Sequence, residues 1–134
     1  MNLKKLRGFT LIEVMIAIAM VAILAAIAYP SYSQYLKTSR RTEATATLTK
    51  IANLEERYYL DNNSYGGLTD LSLTSPYNTE NSYYQITINV TSSTFTLTAT
   101  AQNAQAADTE CGSLTLDQDG TKGSSTANAA TCWK

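Results

Sequence analysis

The chain has 134 residues, with ten Lys and Arg against eleven Asp and Glu, two cysteines and no histidine. That length holds a single modest domain once an N-terminal helical segment is set aside. Without an imidazole, the commonest general-base and zinc-ligand arrangements are excluded.

The chain opens on a basic leader, Lys4, Lys5 and Arg7, which passes through Gly8 into an apolar run over residues 9–28 that holds one carboxylate, Glu13. About twenty residues rising roughly 1.5 Å each just cross a hydrocarbon core of about 30 Å. Positive charge on the N-terminal side keeps that end in the cytoplasm and directs the rest of the chain outward. A cleaved secretory signal has a shorter apolar core, about 7 to 15 residues, followed by a small-residue cleavage site. Here the helical pattern continues past Tyr29 and Pro30 with no linker, so the span is expected to be retained within one long helix. A plain single-pass anchor leaves Glu13 unexplained. A carboxylate in that position costs about 2.5 to 3.5 kcal/mol on insertion scales and marks a functional group.

The segment Lys4-Lys5-Leu6-Arg7-Gly8-Phe9-Thr10-Leu11-Ile12-Glu13 resembles the class III leader and N-terminal segment of bacterial type IV pilins. The resemblance implies that a prepilin peptidase and N-methyltransferase cuts between Gly8 and Phe9 and methylates the new Phe9 amine. Glu13 then becomes the fifth residue of the mature chain. The implied organisation is a leader over residues 1–8, a hydrophobic transmembrane and assembly helix over 9–30, and a periplasmic or extracellular head over 31–134.

Chemistry gives that spacing a reason. Cutting after Gly8 removes Lys4, Lys5 and Arg7 and leaves an amine four residues before the Glu13 carboxylate. Within one helix the two groups sit about one turn apart, which permits self-pairing. A neighbouring subunit displaced axially by roughly a turn or two offers a second partner. Breaking one side of a buried pair costs about 3 to 5 kcal/mol, so Glu13 would act as a register pin.

Beyond Pro30, the residues Tyr32, Tyr35, Leu36, Ala44, Leu48, Ile51, Leu54 and Tyr58 recur near three-and-four spacing, the mark of an amphipathic helix. Lys37, Arg40, Arg41, Glu43, Lys50, Glu55, Glu56 and Arg57 are expected largely on its solvated side. Pro30 lacks an amide hydrogen and crowds the Ala26 carbonyl, so a bend or local weakening is expected there.

Periodicity stops over residues 61–81, where Asn62, Asn63, Gly66, Gly67, Asp70 and Pro76 mark a turn-rich connection. Tyr84, Ile86, Ile88 and Val90 then alternate with polar residues, and after Ser92 and Ser93 so do Phe95, Leu97, Ala99 and Ala101, which reads as a hairpin. A third strand over residues 112–117 turns Leu114 and Leu116 inward, and Asp119-Gly120 supplies a turn into a short fourth segment. The expected fold is α+β: a long N-terminal helix, half transmembrane and half amphipathic, packed on a small antiparallel sheet of about three to four strands.

Cys111 and Cys132 form an even pair in an exported chain, a pattern that reads as a disulfide sooner than as metal ligands. The small polar tail over residues 123–130 is expected to be tied back by Cys132, with Trp133 capping the core. This resembles the disulfide-bounded C-terminal loop of type IV pilins. Glu56-Arg57-Tyr58-Tyr59, Asp108-Thr109-Glu110-Cys111-Gly112, Leu114-Thr115-Leu116 and Cys132-Trp133 are similar to the PilE-type minor pilins.

The resemblance implies a structural pilus subunit, most like a minor pilin of a priming or tip complex, acting in twitching motility, adhesion or DNA uptake. Implied partners are major and minor pilins, the prepilin peptidase, an inner-membrane assembly platform and, before assembly, inner-membrane lipid. The alternatives are a major pilin, a DNA-receptor pilin and a type II secretion pseudopilin. Major pseudopilins resemble calcium-binding heads without a disulfide. Asp117-Gln118-Asp119-Gly120 reads as a turn sooner than as part of a calcium loop. Direct DNA binding is disfavoured, because beyond residue 60 only Lys122 and Lys134 face Asp61, Asp70, Glu80, Asp108, Glu110, Asp117 and Asp119. Lys37, Arg40 and Arg41 are expected to serve subunit packing or lipid headgroups. No metal, cofactor or catalytic group is expected.

Overall fold

The computed structural model describes residues 8–126 and 128–134. Helix α1 covers Leu11–Asn62 and passes through Pro30. It contributes to two compact units, one ending at Tyr35 and one over Leu36–Lys134. In the first unit every helical position from 11 to 32 is exposed, including Ile16, Val21, Leu24 and Ile27. An 18-residue window of this helix has a mean hydropathy of 2.8, long and apolar enough to cross a membrane.

The second unit is built on a different stripe of α1. Arg41, Ala44, Leu48, Ile51 and Glu55 are the buried positions, and their alternating steps of three and four put them on one side of the helix. Ala44, Leu48 and Ile51 pack with Tyr84, Ile86, Phe95, Leu97, Ala99, Leu114 and Leu116 in a single core. Among the described residues, five strands form one antiparallel sheet in chain order. They are β1 (Tyr77–Asn78), β2 (Tyr84–Val90), β3 (Phe95–Ala101), β4 (Ser113–Asp117) and β5 (Lys122–Ser124).

Register follows the alternation of the sequence. Ile86 pairs Ala99 and Ala99 pairs Leu114, while Ile88 pairs Leu97 and Leu97 pairs Leu116. That places the apolar residues on the helix-facing side. Thr87, Thr98 and Thr115 form a cross-strand row at the intervening positions, where β-branched hydroxyl residues suit a partly wet pleat. Gly120 has φ +75°, the left-handed conformation that the Asp-Gly turn between β4 and β5 requires.

The α+β expectation holds, with two differences. The sheet has five strands because β1, only two residues long, pairs with Ile86 and Gln85 from inside the connection read as turns; two residues are too few to show alternation. A 3₁₀ turn at Asn103–Ala107 and a short helix α2 at Ala129–Cys132 also lack a periodic signal. α2 is capped by Asn128, whose side-chain oxygen accepts from the Ala130 amide.

Candidate functional site

Gly8, Phe9 and Thr10 precede α1 in non-helical, exposed backbone, and a Cβ at Gly8 would meet nothing within 4 Å among the described residues beyond its chain neighbours. Phe9 is 89% exposed. Lys4, Lys5 and Arg7 lie outside the described residues. The Gly8–Phe9 peptide is therefore unencumbered by the described structure.

Glu13 is exposed and engages the start of its own helix. The Thr10 amide and hydroxyl donate to Glu13 Oε2 at 2.9 and 2.8 Å, and the Glu13 amide donates back to Thr10 Oγ1 at 3.3 Å. This reciprocal arrangement is a capping box: it satisfies backbone donors that an α-helix leaves unpaired at its first turn. The spacing Thr-x-x-Glu signals it, although the sequence reading gave Glu13 only an amine as partner.

Three charged residues of α1 bind the loops of the second unit to the helix. Arg41 grips Asp108 in a two-pronged pair, Nε to Oδ2 and Nη2 to Oδ1, both 2.7 Å, with Glu110 at 3.4 Å. Gln105 Nε2 adds bonds to Asp108 Oδ2, the Tyr84 hydroxyl and the Lys37 carbonyl at 3.0, 3.0 and 3.2 Å. Burial pushes the Asp108 carboxyl up, but the Arg41 hydrogen bonds and charge outweigh that and hold it below its ordinary value. Glu43 accepts from the Asn81 amide and side chain, each at 3.0 Å. Glu55, wholly buried, accepts from the Gly66 amide at 3.0 Å. Its other oxygen, Oε1, has no hydrogen-bond partner among the described residues. Burial pushes this carboxyl above its ordinary value, assisted by the charges of Asp70 and Glu56 and opposed by the Gly66 bond.

These positions correct the expectation that Arg41 and Glu55 sit on the solvated side of α1. They share the stripe of Ala44, Leu48 and Ile51, and their charges are met by residues far along the chain. Arg41 is thus not available to a lipid headgroup, and Arg40 lies 4.2 Å from the centre of the Tyr83 ring in a cation–π contact.

Cys111 and Cys132 are joined in a disulfide with Cα atoms 5.7 Å apart and a sequence separation of 21, and both are fully buried. Trp133 is half-buried against the core and donates from Nε1 to the Gly123 carbonyl at 2.9 Å. Asp108 and Glu110 approach Cys111, but the Cys111 sulfur is committed to the disulfide and Asp108 to Arg41. Asp117 Oδ1 accepts from the Asp119 and Thr121 amides at 3.0 and 2.8 Å, so this segment is a side-chain-closed turn.

The comparisons agree with this architecture. A family profile described as "Prokaryotic N-terminal methylation motif" matches residues 3–29. Another, described as "Type IV minor pilin ComP, DNA uptake sequence receptor", matches residues 30–115. The Thermus thermophilus protein "Type IV wide pilus major component PilA4" is 43% identical over 63 residues, which is 47% of this chain and 48% of that protein. The Neisseria gonorrhoeae "Type IV major pilin protein PilE" is 38% identical over 78 residues, 53% of this chain and 47% of that protein. The chain thus spans about half the length of these curated relatives. A solved type IV pilin from Shewanella oneidensis matches at 30% identity with a TM-score of 0.56, over 73% of this chain and 98% of that one. The chain belongs to the type IV pilins, a family of structural, non-enzymatic pilus subunits.

Proposed function

We propose that this chain is a minor pilin that matures by cleavage between Gly8 and Phe9, is N-methylated at Phe9, and enters a fibre through residues 9–30 of α1. The observation that carries the assembly reading is the fully exposed apolar helix with one carboxylate, Glu13, at its start. Such a surface is stable in lipid or against other helices, so a subunit can exchange one for the other. Before assembly the precursor sits in the inner membrane with residues 31–134 in the periplasm. The assembly platform then lifts it into the pilus.

Glu13 acts in register. In the single chain its carboxylate closes the Thr10 box; in the fibre it meets the Phe9 amine of an adjacent subunit, and a sliding error leaves charges unmatched in an apolar core. Pro30 is the point at which the helix yields, because Ala26 loses a hydrogen-bond partner there.

The minor role is supported by the profile over residues 30–115, whose description is of a minor pilin. Abundance in purified pili tests it. A priming or tip subunit is scarce and its deletion lowers pilus number, whereas dominance of the preparation would make it the shaft subunit.

That same description names a DNA uptake sequence receptor, which favours DNA capture as a second reading. Charge opposes it: Arg41 is buried in an ion pair, Arg40 covers Tyr83, and acidic residues dominate the loops. A salt-dependent gel shift with the full chain in detergent decides between them, tight binding favouring the receptor.

A further inference from the structure

Tyr29, Tyr32 and Tyr35 are 78%, 62% and 69% exposed. At 100° per residue they fan over about 120° of one side of α1, and they climb about 9 Å along its axis. They begin where the apolar run ends, and no charged residue intervenes between Glu13 and Lys37. From Leu11, where α1 begins, to Tyr29 the helix rises about 27 Å, close to the thickness of a hydrocarbon core of about 30 Å.

A second observation marks the same level. Pro30 lies inside α1 and has no amide hydrogen to give the Ala26 carbonyl. One residue on, the exposed Ser31 hydroxyl donates to the Ile27 carbonyl at 3.3 Å. Polar backbone left short of partners is costly in hydrocarbon and cheap where water and headgroups reach it. Tyrosine rings are amphipathic and collect at that same boundary.

We infer that Tyr29, Tyr32 and Tyr35 form an aromatic belt that seats the outer end of the helix at the lipid headgroup level and so sets the depth of the subunit before assembly. The inference rests on residues 9–30 spanning the membrane. Loss of the belt frees the helix to slide along the bilayer normal, since no charged side chain within the run pins that end.

The test uses the full chain reconstituted in vesicles of phosphatidylethanolamine and phosphatidylglycerol, with a spin label on Ser31→Cys read by oxygen and nickel-chelate accessibility. The expected label depth is at the phosphate and glycerol level. Tyr29→Ser, Tyr32→Ser and Tyr35→Ser together are expected to displace it by about one helical turn, roughly 5 Å. Tryptophan at the same three positions is expected to restore the depth. A serine variant that floats with the vesicles at unchanged depth overturns the belt while leaving the membrane span intact, and so does one that loses only filament incorporation, which would make the tyrosines a contact between copies. A parent chain that fails to float overturns both readings.

Discussion

Arg41 and Asp108, 67 residues apart in sequence, meet in a buried two-pronged ion pair with both contacts at 2.7 Å. The pair joins α1 to the segment leading into Cys111, so the helix, the β3–β4 connection and the disulfide-bounded loop share one fastening. Removing one partner strands the other charge. Arg41→Ala or Asp108→Ala is expected to destabilise the folded state by about 3 to 5 kcal/mol. Denaturant unfolding of the full chain in detergent measures this, and replacing both residues by apolar ones is expected to recover much of the loss. The Asp108 carboxyl is held below its ordinary value. Its contribution is therefore present above about pH 3.9 and lost as the pH falls through the folded-state value.

Glu55 titrates in the opposite sense. Its folded-state value is raised, so the native state favours the protonated form. Its contribution is fully present below about pH 4.3 and declines as the pH rises through the folded value. Unfolding midpoints of the parent and Glu55→Gln compared from pH 4 to pH 8 are expected to shift in favour of the variant as pH rises. A constant difference would mean that the carboxyl is not desolvated.

Thr10 and Glu13 act together at the start of α1. Thr10→Ala is expected to weaken the first turn by about 0.5 to 2 kcal/mol, seen as faster amide exchange at residues 11–14. Glu13→Val is expected to leave residues 36–134 folded while reducing incorporation into pili. Normal incorporation of that variant would remove the register role.

The disulfide closes a short loop around β4, β5 and α2. Replacing Cys111 and Cys132 by serine is expected to lower stability by roughly 3 kcal/mol, with proteolysis concentrating over residues 123–131.

Gly8→Val is expected to block maturation, since a bulkier side chain then stands at the bond to be cut. Co-expression with a prepilin peptidase should shorten the parent chain and leave the variant unchanged in gel mobility.

Much of this fold is legible in the sequence because two periods govern it. Three-and-four spacing picks out Ala44, Leu48 and Ile51, and alternation picks out Ile86, Leu97, Ala99 and Leu114, all of which enter the core. The same patterns misplace Arg41 and Glu55, since a hydrophobicity rule assigns charge to solvent and cannot see a partner 67 residues away at Asp108 or a loop amide at Gly66. Tyr32 and Tyr35 err the other way: they fit the apolar period but are exposed, because they lie in the unit that ends at Tyr35. At the N-terminus the basic leader, Gly8 and Glu13 stand out by composition alone. The Thr10 box is equally readable as Thr-x-x-Glu, but only once Glu13 is considered as a capping residue as well as a charge.

The central claim is that this chain becomes a fibre subunit by losing its leader and keeping its apolar helix. Intact mass spectrometry of native pili tests it most directly. The account predicts a species that begins at Phe9, carries one added methyl group and retains the Cys111–Cys132 bond; a filament-borne species still holding residues 1–8, or one lacking residues 9–30, would contradict it.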